Sequence, residues 1–246
     1  MKKTIFAAAL ALSGVMATQQ AFAAIALDRT RVVYNGEEKS ISLGISNENK
    51  NLPYLAQAWI EDAHGNKITS PLNALPPVQR VEAGAKSQVK VQASPAIASL
   101  PQDRETLFLF QPANSAAQQT EHAANCSADP HQTVLPSESY RARNAGGAGR
   151  LGGKVTLTRQ GDKFMVNNPT PYFLTIVEGA TGVKGKTVGF EPVMVSPKSS
   201  ATIEASAAAF GNNPVLTYVN DYGGRPHLQF ACSGTTCTAK LLKEQN

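Results

Sequence analysis

Residues 39–46, KSISLGIS, alternate apolar and polar side chains, and this pattern decides the type of fold. Ile41, Leu43 and Ile45 fall on one face, and serine or glycine falls on the other. Because successive residues of a strand point to opposite sides of a sheet, the pattern predicts a β-strand with one buried face.

The same two-residue period recurs on either side of this segment. It is found in YLAQAWIE (54–61), SQVKVQAS (87–94), KVTLTR (154–159), KFMVNN (163–168) and VLTYVN (215–220). Turn residues separate the segments, and none has a long 3.6-residue apolar period, so we expect few helices. Two antiparallel sandwiches of about 100 residues each would account for most of the chain. The sequence therefore predicts an exported, two-domain, all-β protein.

The prediction of export comes from residues 1–23. Lys2 and Lys3 precede an apolar run (5–16), and Ala21-Phe22-Ala23 resembles a signal-peptidase site. The run is too short to cross a hydrocarbon core about 30 Å thick, so we predict a cleaved signal peptide and no membrane insertion.

Charge and motifs exclude several classes of function. Without the two lysines of the signal peptide, the 23 basic residues fall to 21 against 18 acidic ones, and no dense basic cluster predicts nucleic-acid binding. The chain has no G-x-S-x-G, no H-E-x-x-H and no glycine-rich phosphate loop. We therefore predict neither an enzyme nor a cofactor.

Three cysteines follow the signal peptide. Cys232 and Cys237 stand in CSGTTC, a spacing that suits a disulfide across a tight turn in an oxidising compartment. No second Cys or His pair lies nearby in the sequence to complete a metal site. Cys126 is left over, in a stretch of unusual composition.

Several longer segments identify a family. The segments are ALDRTRVVYNGEEKSISLGISNENKNLPYLAQAWIED (26–62), PPVQRVEAGAKSQVKV (76–91), LPQDRETLFLF (100–110), NPTPYFLTIV (168–177) and NDYGGRPHLQFACSGTTC (220–237). They resemble the PapD-like periplasmic chaperones of the chaperone-usher pilus pathway. The resemblance implies two immunoglobulin-like sandwich domains in an L-shaped arrangement, which we place at residues 24–145 and 151–246.

The resemblance also implies a function. Such chaperones reside in the periplasm, bind pilus subunits that lack a strand, cap them by donating a strand of the first domain, and deliver them to an outer-membrane usher. An alternative is a secreted β-sandwich pilin or adhesin subunit, against which LPQDRE and NDYGGRP argue.

Site residues follow from the matched motifs. Arg31 matches an arginine that, with a lysine, anchors the subunit's terminal carboxylate, and Glu105 and Asp221 match acids that connect the two domains. The lysine and an interdomain arginine belong to a family segment resembling TKIKLFYRP, which is absent from this chain. We therefore expect Glu105 and Asp221 to lack this arginine as their partner. Cys232 and Cys237 match a structural disulfide, and Trp59 matches the core of the first domain.

The absent segment should lie within residues 111–150, where the strand pattern is lost. A deletion, a divergent insertion and a shifted reading frame are the alternatives. Read one nucleotide later, the codons for DPHQTVLPSESY (129–140) permit T-R-T-K-L-F-Y-R-P-K-A-I, with the lysine codon spanning Gln132 and Thr133. FQPANSAA (110–117) permits N-L-R-I-P-P. We therefore hypothesise that residues 111–150 are out of frame, that the first domain is incomplete at its last strands, and that this chain is defective.

Overall fold

The computed structural model describes residues 25–29, 31–116, 131–135, 153–221 and 223–241. The predicted signal peptide, Cys126 and most of the anomalous stretch lie outside these residues. The regular secondary structure of the described part is almost entirely β-strand, as predicted. None of its helices is long and apolar enough to cross a membrane.

The first half of the chain forms two sheets that face each other. Its strands are β1 (Ile25–Leu27), β2 (Arg31–Val33), β3 (Ser40–Asn47), β4 (Tyr54–Glu61), β5 (Lys67–Ile68), β6 (Leu72–Leu75), β7 (Val78–Val81), β8 (Lys86–Ala93), β9 (Thr106–Ala116) and β10 (His131–Leu135). One sheet has the order β1-β3-β8-β6, and the other has the order β2-β10-β9-β4-β5 with β7 also paired to β4. A turn of 3-10 helix, Pro95–Ser99, leads from β8 towards β9.

The inward faces of these two sheets form one apolar core. Leu43 and Val91 from the first sheet and Ile60 and Phe110 from the second are fully buried in the same cluster. Burying each such side chain contributes roughly 1.5–3 kcal/mol, which is why the alternating pattern specifies the strands. The predicted sandwich is confirmed.

Trp59 does not belong to this core, so that part of the prediction is wrong. Its side chain is only partly buried, its indole N–H donates to the Glu61 carboxylate at 2.6 Å, and the Lys67 ammonium lies 5.0 Å from the ring centroid. The period of β4 explains this, because Ala58 and Ile60 take the inward positions and Trp59 between them must point outward.

The end of the first domain differs from the sequence prediction in two respects. We expected the strand pattern to stop at Phe110, but β9 continues to Ala116 because its backbone pairs with β4 as far as Tyr54. We also expected the closing strands to be missing, yet β10 pairs antiparallel with β9 and parallel with β2. Backbone hydrogen bonds need no apolar alternation, so a strand can form where the pattern is lost.

The second half forms a single continuous sheet around its own core. Its strands are β11 (Thr156–Gln160), β12 (Lys163–Asn168), β13 (Leu174–Ala180), β14 (Thr187–Val188), β15 (Val193–Val195), β16 (Ser199–Ser206), β17 (Val215–Val219), β18 (His227–Ser233) and β19 (Thr236–Leu241). The order is β14-β13-β17-β18-β19-β11-β12-β16, with β15 paired to β13. A short helix, α1 (Ala207–Phe210), follows β16 and buries Phe210, whose ring forms a T-shaped pair with that of Phe164.

The predicted disulfide is present in the second half. Cys232 and Cys237 are bonded and are register partners in the β18–β19 hairpin. Gly234 turns the hairpin with a φ of 63°, a conformation that side chains with a Cβ disfavour. The CSGTTC motif therefore gives both the bond and the turn that it spans.

Candidate functional site

Arg31 lies on the short strand β2 at the junction with the second domain, and only 9% of its side chain is exposed. Its Nη2 donates to Thr175 Oγ1 at 2.8 Å, and its Nη1 donates to the Val219 carbonyl at 3.5 Å. Thr175 and Val219 are register partners on β13 and β17. Two adjacent strands of the second domain thus hold a guanidinium that comes from the first.

Asp221 faces the same guanidinium. Its Oδ1 lies 3.7 Å from Arg31 Nη1, and 43% of its side chain is exposed. The resemblance implies an interdomain role for Asp221, with an arginine of the absent segment as its partner. In the structure, Asp221 lies close enough to a different arginine, Arg31, to form an ion pair.

Glu105 forms a second contact between the domains. Its backbone N–H donates to the Pro171 carbonyl at 2.9 Å, and its buried carboxylate accepts a hydrogen bond from the Phe173 N–H at 2.8 Å. The expected arginine belongs to the absent segment, and the Phe173 N–H is one donor that the buried carboxylate has in its place. A buried carboxylate requires such donors.

Asp103 adds a third, exposed contact. Its carboxylate pairs with Arg104 next to it and with Lys198 of the second domain. Hydrogen bonds from Arg104 first and Lys198 second hold the pKa of Asp103 well below its usual range. Lys198 also donates its backbone N–H to the Thr170 carbonyl at 2.9 Å, which fixes the backbone from which the ammonium extends.

Strand β10 brings the anomalous stretch to the site. In the parallel pairing with β2, Gln132 is the register partner of Arg31, and in the antiparallel pairing with β9 it is the partner of Leu109. The backbone at Gln132 therefore lies beside the backbone that carries the buried guanidinium. In the shifted reading frame, the codon of the expected lysine begins within the codon of Gln132.

Arg31 and Glu105 of the first domain were singled out from the sequence, but most of the second-domain residues that they contact were not. Thr175 and Val219 lie in β13 and β17, and Phe173 immediately precedes β13. Nothing in their residue types marks them as neighbours of Arg31 or Glu105. Only the folded chain brings them together. Across the described ranges, no group of three or more His, Cys, Asp or Glu side chains could hold a metal ion.

Removing the Glu105 carboxylate is expected to loosen the Phe173 segment. In Glu105→Ala, the Phe173 amide loses its acceptor, and its hydrogen exchange should rise by roughly 10- to 100-fold, because an unmade buried hydrogen bond costs about 1–3 kcal/mol. Glu105→Gln keeps an acceptor oxygen and should cause a smaller rise. An unchanged exchange rate of Phe173 in Glu105→Ala would contradict this role.

The chain matches known proteins over both domains. Residues 24–127 match the family described as "Pili and flagellar-assembly chaperone, PapD N-terminal domain". Residues 151–230 match "Pili assembly chaperone PapD, C-terminal domain". The two matches follow each other in the order of the two halves of the fold.

Individual relatives agree with these matches. The chain is 41% identical over 257 residues to "Chaperone protein PapD" of Escherichia coli, covering 99% of this chain and 100% of that protein. It is 36% identical to "Chaperone protein PmfD" of Proteus mirabilis, covering 99% and 96%. The crystal structure of the Pseudomonas aeruginosa CupB2 chaperone is 25% identical, with a TM-score of 0.66, and covers 84% of this chain and 100% of that one. This chain therefore belongs to the PapD-like pili assembly chaperones, a family without enzymatic activity.

Proposed function

We propose that this protein is a periplasmic chaperone that binds and caps pilus subunits by donor-strand complementation and delivers them to an outer-membrane usher. The observation that carries the proposal is the buried guanidinium of Arg31, held at the junction of the two domains and beside strand β10. The 41% identity to a PapD chaperone supports it. The alternative, a pilin or adhesin subunit, is not favoured by the relatives.

The geometry suits strand donation. When one protein adds a strand to the sheet of another, main-chain hydrogen bonds supply affinity. Alternate side chains of the donated strand fill the open core of the protein that receives it. A charge-assisted bond to a terminal carboxylate would fix the register of the added strand. Arg31 is on the edge strand β2, next to β10, where such a carboxylate could meet it.

The domain limits and the location belong to the same proposal. We place the first domain at residues 24–145 and the second at 151–246, with residues 1–23 removed on export to the periplasm. The disulfide between Cys232 and Cys237 supports an oxidising compartment, because cytosolic thiols are kept reduced.

The register of β10 supports the hypothesis that residues 111–150 are translated out of frame. The shifted reading begins its lysine codon within Gln132, and backbone pairing independently places Gln132 opposite Arg31. A lysine at this position would form the two-cation anchor that the family resemblance implies. In the chain as translated, the second cation is replaced by a neutral amide, and we infer that subunit capture is lost.

Arg31→Gln is the direct test of the anchor, in a protein whose reading frame has been restored. Loss of a charge-assisted bond costs about 1.5–3 kcal/mol, so the affinity for a pilus subunit should fall by roughly 10- to 100-fold. Co-purification of a tagged subunit and a binding titration measure this. Arg159→Gln, which changes an exposed arginine of the second domain, is the matched control and should bind normally. Equal binding by Arg31→Gln and the control would rule out the anchor.

A further inference from the structure

The polar contacts of Arg31 are unequal. On one side, Nη2 makes a short bond of 2.8 Å to Thr175 Oγ1. On the other, the contacts of Nη1 with the described residues are long, 3.5 Å to the Val219 carbonyl and 3.7 Å to Asp221. The guanidinium is thus firmly held through Nη2, while its Nη1 side is loosely engaged.

Asp221 is the contact that a carboxylate would have to compete with. It carries the same charged group as a chain terminus, it lies beside Nη1, and it is 43% exposed, so solvent and ligands can reach it. Two carboxylates close together repel each other, which weakens the binding of the second. Thr175 and the Val219 carbonyl carry no charge and would leave the guanidinium in position.

We propose that Asp221 is an internal competitor for Arg31 and sets the affinity with which the site accepts a carboxylate from a partner. A carboxylate ligand would displace Asp221 from the Nη1 side while Thr175 keeps the guanidinium in place. The planar fork of an arginine can accept such a ligand bidentately. The inference rests on the proposed function, since it concerns the same anchor.

The experiment is an NMR titration of the ¹⁵N-labelled chain as translated. The probes are an acetylated, alternating valine–phenylalanine pentapeptide with a free C-terminal carboxylate and the same peptide with a C-terminal amide. Shifts of the Thr175 and Val219 amides report binding beside Arg31. In Asp221→Asn, the free-carboxylate peptide should bind roughly 3- to 10-fold more tightly, the range expected for removing a partly exposed charge. The amide peptide should bind equally to both proteins.

Two further variants separate local from general effects. Asp162→Asn removes the same charge from an exposed position of the second domain and should not change binding. Asp221→Ser tests the site with a second neutral side chain and should repeat the gain. A gain in Asp162→Asn equal to that in Asp221→Asn would overturn the proposal, because the effect would then come from net charge alone.

Arg31→Gln distinguishes failure of this inference from failure of the anchor. If Arg31→Gln abolishes discrimination between the two peptides while Asp221→Asn leaves affinity unchanged or lower, Arg31 is an anchor and Asp221 is not its competitor. If the wild type, Asp221→Asn and Arg31→Gln all bind the two peptides alike, the anchor itself is refuted, and the inference falls with it.

Discussion

The chain as translated is expected to co-purify with no pilus subunit. Restoring the reading frame of residues 111–150 is expected to give nearly equimolar co-purification of subunit and chaperone. The reason is that the shifted reading supplies K-L-F-Y-R-P, and with it the lysine expected opposite Arg31. It also supplies alternating apolar residues upstream, which a donated strand needs to fill a subunit's open core. The measurement is co-purification of a tagged subunit with each version of the chaperone.

The single substitution Gln132→Lys separates the two contributions. It supplies the cation expected beside Arg31 without restoring the alternating apolar residues, so it should strengthen carboxylate binding but recover little subunit. Equal subunit recovery by the translated and frame-restored chains would refute the prediction. The gene offers an independent check, because a stop codon in the shifted frame between residues 111 and 150 would end the hypothesis.

The core of the fold could be predicted from the sequence because burial follows the period of each strand. Leu43 and Ile45 were expected on the buried face of their strand, and each is almost completely buried. Trp59 was assigned to the core through the family resemblance, although its position between two inward residues of β4 required the outer face. The period of the strand was therefore a better guide than the resemblance for this side chain.

The candidate site could be predicted only in part. Arg31, Glu105 and Asp221 were singled out from the family motifs, and Arg31 and Glu105 each contact residues of the second half of the chain, Asp221 among them. Their contacts with the backbone of Phe173 and Val219 could not be foreseen, since every residue has an N–H and a carbonyl and the sequence does not mark which ones are used. Strand β10 was also missed, because it is held by backbone pairing.

Two buried asparagines were missed for the same reason, although they make matching contacts in the two domains. Asn47 ends β3 and donates its side-chain amide to the carbonyls of Leu52, Val81 and Glu82. Asn168 ends β12 and makes the equivalent bonds to Tyr172, Val195 and Ser196. In each domain, one asparagine amide therefore links the end of one strand to two other segments.

Asn168→Ala is expected to cause the largest loss of stability among single substitutions considered for the second domain. Asn168 is fully buried, and its Oδ1 accepts hydrogen bonds from the N–H and hydroxyl of Thr170 at 3.1 and 2.6 Å. Alanine would remove both the donor to these three carbonyls and the buried acceptor of Thr170, so the free energy of unfolding should fall by about 3–5 kcal/mol. Urea denaturation followed by far-UV circular dichroism measures this loss.

The position of the tryptophan allows the loss of stability to be assigned to one domain. Trp59 is the single tryptophan and lies in the first domain, so its fluorescence reports only that domain, whereas circular dichroism reports both. Asn168→Ala should move the circular dichroism transition with little change in fluorescence, and Asn47→Ala should move the fluorescence transition. Asn167→Ala, at an exposed neighbouring position, is the matched control and should change stability by less than about 0.5 kcal/mol. If Asn168→Ala were as stable as this control, the asparagine would fill space without joining the strands, and the second domain would depend on its apolar core and disulfide alone.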